Sequence, residues 1–246
     1  MTGIVFDIDD TLYNRQVLFT RAAEEALGTR IDNKDGFVRI FYEQSDLNTA
    51  DLEAGKITTL ECNAWRYEQT FRLMGLPYKD GDGLKAAGIY YDAQRNIRLS
   101  PDMTDVLDKL SSAPGVKLAV LTAGRSSHQW RKFDMLGLDK WISRGNVIVG
   151  GDVGISKPDV RVFRLTEERL GLKPGDIWMI GDSYKHDIEG ALNAGWHAVW
   201  LDRRGVEVSG LRPDHKVTTD EGLIQVIRSV LCPEDQDALL AACITA

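Results

Sequence analysis

The 246-residue chain is poor in cysteine and histidine and has no long apolar run. Its three cysteines, Cys62, Cys232 and Cys243, are odd in number and lack metal-ligand spacing. A disulfide scaffold and a thiolate zinc site are therefore excluded, and the thiols read as packing residues or free groups in a reducing compartment. The four histidines, His128, His186, His197 and His215, are equally without metal spacing. No segment approaches the ~18 apolar residues of a membrane span. The N-terminus shows neither the basic flank nor the apolar stretch of a secretory signal. Positive charge is short as well: 30 Lys and Arg stand against 37 Asp and Glu, a net −7. That disfavours a broad nucleic-acid or anionic-membrane surface, although a metal or a few lysines can invert the field inside a pocket. The expectation is a soluble cytoplasmic protein with no nucleic-acid or membrane partner. Monomer and dimer are equally compatible with the sequence.

What the chain does have is GIVFDIDDT, Gly3 to Thr11. A short apolar run, Ile4 to Phe6, ends in Asp7, Asp9 and Asp10. Such a run reads as a buried strand of a parallel sheet, and ligands of open α/β sheets bind beyond the carboxyl ends of the strands. Side chains alternate along a strand, so Asp7 and Asp9 share a face.

The sheet pattern then stops. From residue 14 to 97 the text is helical, with apolar residues at helical spacing over Arg15–Leu27, Lys34–Gln44, Ile57–Gly75 and, more weakly, Gly83–Gln94. The spacing assigns Tyr67 and Phe71 to a core, with Trp65, Val17 and Leu60 in the same pattern. From Leu99 strands alternate with helices: strands over Val116–Gly124, Val147–Gly150, Asp176–Ser183 and Trp196–Asp202, and helices over 99–110, 128–138, 160–172, 186–195 and 220–231. This rhythm predicts an α/β fold with a doubly wound parallel sheet. The expected organisation is a core of residues 1–13 and 98–231, an inserted all-helical domain of 14–97, and a tail of 232–246 in which Pro233 opens a short helix.

Each expected strand runs into a polar turn. These are Asp7 to Thr11, Thr122 to Gly124, Lys157 in the loop after Val147–Gly150, and Asp182 to Asp187. Brought to one sheet edge, Asp7, Asp9, Asp182 and Asp187 need a cation, and oxygen-only donors suit a hard ion such as Mg²⁺. Thr122 supplies a hydroxyl, Ala123–Gly124 supply backbone N–H groups, and Lys157 supplies a compact positive charge for phosphate. A carboxylate nucleophile in such company is suited to phosphoryl transfer.

FDIDDT, LTAG, SKPD and GDSYKHD, in that order, resemble the four motifs of the haloacid dehalogenase-like superfamily. GLDKWI, KPDVRVF and NAG add to the likeness with its small-molecule phosphatase branch. The resemblance implies a Rossmann-like core with the helical segment as a cap of the helical-cap subclass. It implies Asp7 as the nucleophile that forms an aspartyl-phosphate and Asp9 as the general acid and base. Mg²⁺ is then held by Asp7, the Asp9 carbonyl and Asp182, with Asp187 in an outer role. Thr122, Ala123, Gly124 and Lys157 hold the phosphoryl group. Asp10 stands where the family commonly has glycine and reads as a turn residue. LTAG replaces the commoner LTNG but keeps hydroxyl and amide. Arg125 and His186 read as surface residues beside their motifs, while Tyr13, Asn14 and Arg15 lie where the core passes into the insertion. The function expected is hydrolysis of a small soluble phosphomonoester, of nucleotide or sugar-phosphate type. Phosphomutase chemistry, 2-haloacid dehalogenation and a catalytically silent binding module are the alternatives.

Overall fold

The computed structural model describes residues 1–53 and 55–232. The chain forms two compact units: Met1–Tyr13 with the chain from Arg98 on, and Asn14–Ile97. The expected helix at Pro233, and Cys243, lie outside the described residues.

The first unit is built on six parallel strands: β1 (Thr2–Phe6), β2 (Val116–Thr122), β3 (Val147–Val149), β4 (Ile177–Gly181), β5 (His197–Leu201) and β6 (His215–Val217). Their order is β3-β2-β1-β4-β5-β6. The order reverses direction beside β1, which opens a crevice beyond the carboxyl ends of β1 and β4. Ile4, Val5 and Phe6 are fully buried, so both faces of β1 are covered. A strand buried on both faces reads as a continuous apolar run, as GIVF does. The sixth strand carries no such signal, with half-exposed His215 and Val217 on either side of exposed Lys216 at the sheet edge.

The second unit is entirely helical apart from its turns: α1 (Arg15–Leu27), α2 (Lys34–Glu53), α3 (Thr59–Leu73) and α4 (Asp82–Ala93). Phe19, Phe37, Phe41, Tyr67 and Phe71 are buried together with the small residues Ala22, Ala23, Ala86 and Ala87. Large rings meet small side chains here, so the helices approach closely without voids. Phe19 stacks on Phe41 with ring centroids 4.4 Å apart, and the Tyr67 hydroxyl donates to the Phe19 carbonyl at 3.0 Å. Sequence spacing overreached in two places. Val17 and Leu60 are exposed, at 60% and 41%, although they follow the apolar pattern. Helix α2 also runs nine residues past Gln44, with Leu47 exposed and Asn48 buried, an inversion that hides the helix from an apolar pattern.

Back in the sheet unit, α5 (Pro101–Ser112), α6 (Ser126–Met135), α7 (Gly150–Val153), α8 (Val160–Leu170), α9 (Gly190–Asn193) and α10 (Asp220–Val226) connect the strands. Ser100 starts α5 by accepting from the Met103 N–H, with Pro101 in the first turn, as its sequence predicts. Val162, Phe163 and Ala191 cover the face of Val5, Leu121 and Met179. The expected helix over 186–195 instead opens as one wide turn, Tyr184–Glu189, before α9. Such wide turns re-aim a side chain, here Asp187. Among the described residues no helix is long and apolar enough to cross a membrane.

Candidate active site

Asp7 is the first residue beyond β1, and its N–H donates to the Ile180 carbonyl at 2.9 Å, extending the ladder towards β4. It is 7% exposed. Lys157, in the loop after α7, reaches it with Nζ 2.7 Å from Asp7 Oδ1. The same ammonium lies 2.5 Å from Asp187 Oδ1. Asp187 Oδ2 accepts from the Ser183 N–H at 2.9 Å, so both its oxygens are engaged. Its side chain lies against the backbone of Gly181, where a Cβ would fall 2.4 Å from Oδ2. Only glycine admits that approach. Asp182, immediately after β4, is fixed through its carbonyl, which accepts from Trp200 Nε1 at 2.9 Å, and its Oδ2 is 3.9 Å from Arg204 Nη2.

The second turn meets the first by register. Phe6 pairs with Val120, which sets Thr122 across the ladder beside the Asp7–Ile8 step. Thr122 is buried, and its hydroxyl has a long 3.4 Å contact with the Ala123 carbonyl. Gly124 takes φ 103°, and its carbonyl accepts from Gly151 N–H at 3.1 Å. A Cβ on Gly151 would fall 2.6 Å from that carbonyl, so glycine there lets the loops after β2 and β3 touch backbone to backbone.

Asp9 has a set of partners of its own. Its Oδ1 accepts from the Tyr13 hydroxyl at 2.5 Å. Lys132 Nζ lies 2.7 Å from Oδ1 and 2.5 Å from Oδ2, and Gln129 Nε2 donates to Oδ2 at 3.1 Å. Asp10 is fully buried with φ 57°, the left-handed region open to glycine and tolerated by Asp. Arg125 is exposed at the start of α6, and His186 is exposed, its Nδ1 3.0 Å from Ser183 Oγ.

One carboxylate oxygen from each of Asp7, Asp182 and Asp187 falls within 4.8 Å of the others. Three carboxylates face one lysine at contact distance and one arginine at 3.9 Å, a net negative surplus, and oxygen-only donors fit a hard divalent cation. Burial pushes the Asp7 carboxyl up to about 6, against the pull of Lys157 and with the push of Asp187 and Asp9. Burial works against the charge on Lys157, but Asp187 and Asp7 outweigh it and hold the ammonium above its ordinary range.

The site thus gathers Asp7, Lys157 and Asp187 by contact, Asp182 within 4.8 Å of the other carboxylates, Thr122 by register, and Asp9 through a separate set of partners. Sequence reasoning passed over Lys132, Gln129, Trp200 and Arg204. Gln129, Lys132 and Phe133 are the buried residues of α6, spaced as one helical face. Two long polar residues on a buried face are the signal that was there to be read.

Comparison with known proteins bears on the family and the fold. The family model of haloacid dehalogenase-like hydrolases matches residues 1–195. The chain is 28% identical to glyceraldehyde 3-phosphate phosphatase of Methanothermobacter thermautotrophicus, an alignment covering 86% of this chain and 93% of that protein. It is 29% identical to phosphoserine phosphatase of Thermus thermophilus, covering 95% and 99% respectively. A dehalogenase crystal structure superposes with TM-score 0.67 at 21% identity, over 92% of this chain and 96% of that one, a likeness of fold. With four motifs in order, a crevice beside β1 and a family match over most of its length, the chain belongs to the haloacid dehalogenase-like hydrolases.

Proposed function

We propose that this chain is a Mg²⁺-dependent phosphatase of a small phosphomonoester. The observation that carries the reading is the buried contact of Asp7 with Lys157, set beside Asp182 and Asp187 at the end of β1 and β4. A nucleophilic carboxylate displacing halide from carbon has no need of two further carboxylates beside it. The names of relatives aligned over nearly their whole length, glyceraldehyde 3-phosphate phosphatase and phosphoserine phosphatase, support a small phosphorylated substrate.

In this reading an Asp7 oxygen attacks phosphorus, the P–O bond to the alcohol breaks, and Asp9 gives its proton to the departing oxygen. Asp9 then takes a proton from water as that water attacks the aspartyl-phosphate. Phosphate leaves and Asp7 is restored. Such acid–base assistance is worth about 10²–10⁴-fold. Thr122 and the N–H groups of Ala123 and Gly124 hold phosphoryl oxygens, and Lys157 neutralises charge between nucleophile and phosphate. Asp7, the Asp9 carbonyl and Asp182 would hold Mg²⁺, with Asp187 fixing Lys157 and the Ser183 turn from outside. The ion supplies charge neutralisation and Lewis acidity at a phosphoryl oxygen. By its place in the chain the helical unit corresponds to the family's cap, to which this reading assigns the choice among esters.

The test is a phosphate-release screen over phosphorylated metabolites, phosphoserine and triose, sugar and nucleoside phosphates among them, with Mg²⁺ and with EDTA. Release from at least one ester, abolished by EDTA, is expected. No release from any ester overturns the reading, as does halide release from 2-chloropropionate that survives EDTA. Isomerisation of a hexose 1-phosphate without free phosphate would reassign the chain as a mutase.

A further inference from the structure

The two carboxylates of the first motif each have a lysine of their own. Lys157 serves Asp7, as the family motif leads one to expect, but Lys132 belongs to no motif and spans both oxygens of Asp9. The Lys132 side chain is 10% exposed and that of Asp9 17%. Taking an ammonium that far out of water is costly unless its partner is well placed, so a solvated surface pair is not what this is. Gln129, 5% exposed, comes from the same face of α6, and Tyr13, 7% exposed, closes the other side. Helix α6 starts directly after the Thr122–Gly124 turn. The element that offers donors to a phosphoryl group therefore also fixes the carboxylate meant to serve the leaving oxygen.

The geometry points to Lys132, aided by Gln129, as the positioning residue of the acid–base group Asp9. The inference rests on the phosphatase reading above. An ammonium shared between both carboxylate oxygens, with an amide on one and a phenol on the other, stops the carboxylate from turning about its own axis. A proton donor must meet the departing oxygen within hydrogen-bond distance, and a misplacement of about 1 Å can cost roughly 100-fold. Lys132 acts through Asp9. Its loss is therefore felt where the leaving group needs a proton and not where it departs as a stable anion. A lysine that only balanced the charge of the crevice would affect both kinds of ester alike.

The experiment compares kcat/KM of wild type, Lys132→Met and Lys132→Arg on 2-glycerol phosphate, an alkyl ester, and on 2,4-dinitrophenyl phosphate. Lys132→Met is expected to fall about 30-fold or more on the alkyl ester and less than about threefold on the dinitrophenyl ester, within the span of general-acid assistance. Lys132→Arg, whose fork can grip both oxygens, is expected to recover most of the alkyl rate. Equal losses on the two esters, no loss, or a gain on the alkyl ester would overturn the inference. If Lys132→Met does not give a cooperative melt, Gln129→Leu, which removes one donor and keeps the lysine, is read by the same ratio. Where 2-glycerol phosphate is not turned over, the alkyl ester hydrolysed in the screen above takes its place; a wild type inert to every ester of that screen overturns the phosphatase reading and this inference with it. An active wild type with a uniform loss in the variant overturns this inference alone.

Discussion

The two units bury different things. Among the described residues, the helical unit buries the polar side chains Thr20, Gln44, Asn48, Asn63 and Thr70, none of them charged. The sheet unit buries Asp7, Asp10, Lys132, Lys157, Asp187 and Asp202. In the helical unit polar groups are answered close by, as when Asn48 Nδ2 donates to the Cys62 carbonyl at 3.1 Å. In the sheet unit they are answered across the chain, Lys157 to Asp7 and Lys132 to Asp9. An uncharged amide in a core is tolerated once hydrogen-bonded, whereas a buried charge costs several kcal/mol and survives only with a close partner. Of the buried charged side chains, Asp7, Lys132, Lys157 and Asp187 gather at the candidate site and Asp202 pairs with Lys216 elsewhere, while the helical unit holds itself together with rings.

Substitutions in the two units should separate activity from stability. Asp7→Asn is expected to lower phosphate release by a thousandfold or more with no fall in melting temperature, because it removes the proposed nucleophile and an unfavourably buried charge together. A variant retaining wild-type turnover would remove Asp7 from its role. Phe71→Ala, a fully buried ring 6.3 Å from Phe37 and 5.8 Å from Tyr67, should cost about 3–5 kcal/mol of stability by denaturant titration. A cost under 1 kcal/mol would deny the helical unit a packed core.

Next comes acidity. Because burial raises Asp7 to about 6, it takes up a proton as pH falls through that value, and the nucleophile is lost on the acid side. At limiting Mg²⁺, kcat/KM should drop about tenfold per pH unit below pH 6, and saturating Mg²⁺ should move the limb to lower pH by competing with the proton. A profile flat to pH 4 at limiting metal would contradict that. The smallest effect is Gly28→Ala at the end of α1, where φ is 67° and no atom lies within 4 Å of the added Cβ. The cost there is backbone strain alone, about 1 kcal/mol by thermal melting.

Three of the polar turns were legible because each directly follows a buried strand, a strong local signal, whereas Lys157 comes after the short helix α7, which stands where a plain loop was expected after β3. Why Asp187 lies over Gly181 was not legible, since the wide turn at Tyr184–Glu189 leaves no distinctive spacing. Nor was β6, whose three residues His215–Val217 carry too little apolar pattern to stand out. Lys132 was missed for a different reason. Its partner Asp9 is set by how β1 and β2 align, and nothing in the text of α6 names it.

The central place of β1 has a consequence in time. Thr2 pairs with Val116, and Gly3 with Ile177. During synthesis β1 must therefore wait for both its neighbours, roughly 10–40 s at ordinary elongation rates for the later one. Meanwhile the helical unit, built from contacts near in sequence, can form first. The carboxylates of Asp7 and Asp182 then meet only once β4 has been made, well after the helical unit has had the chance to fold.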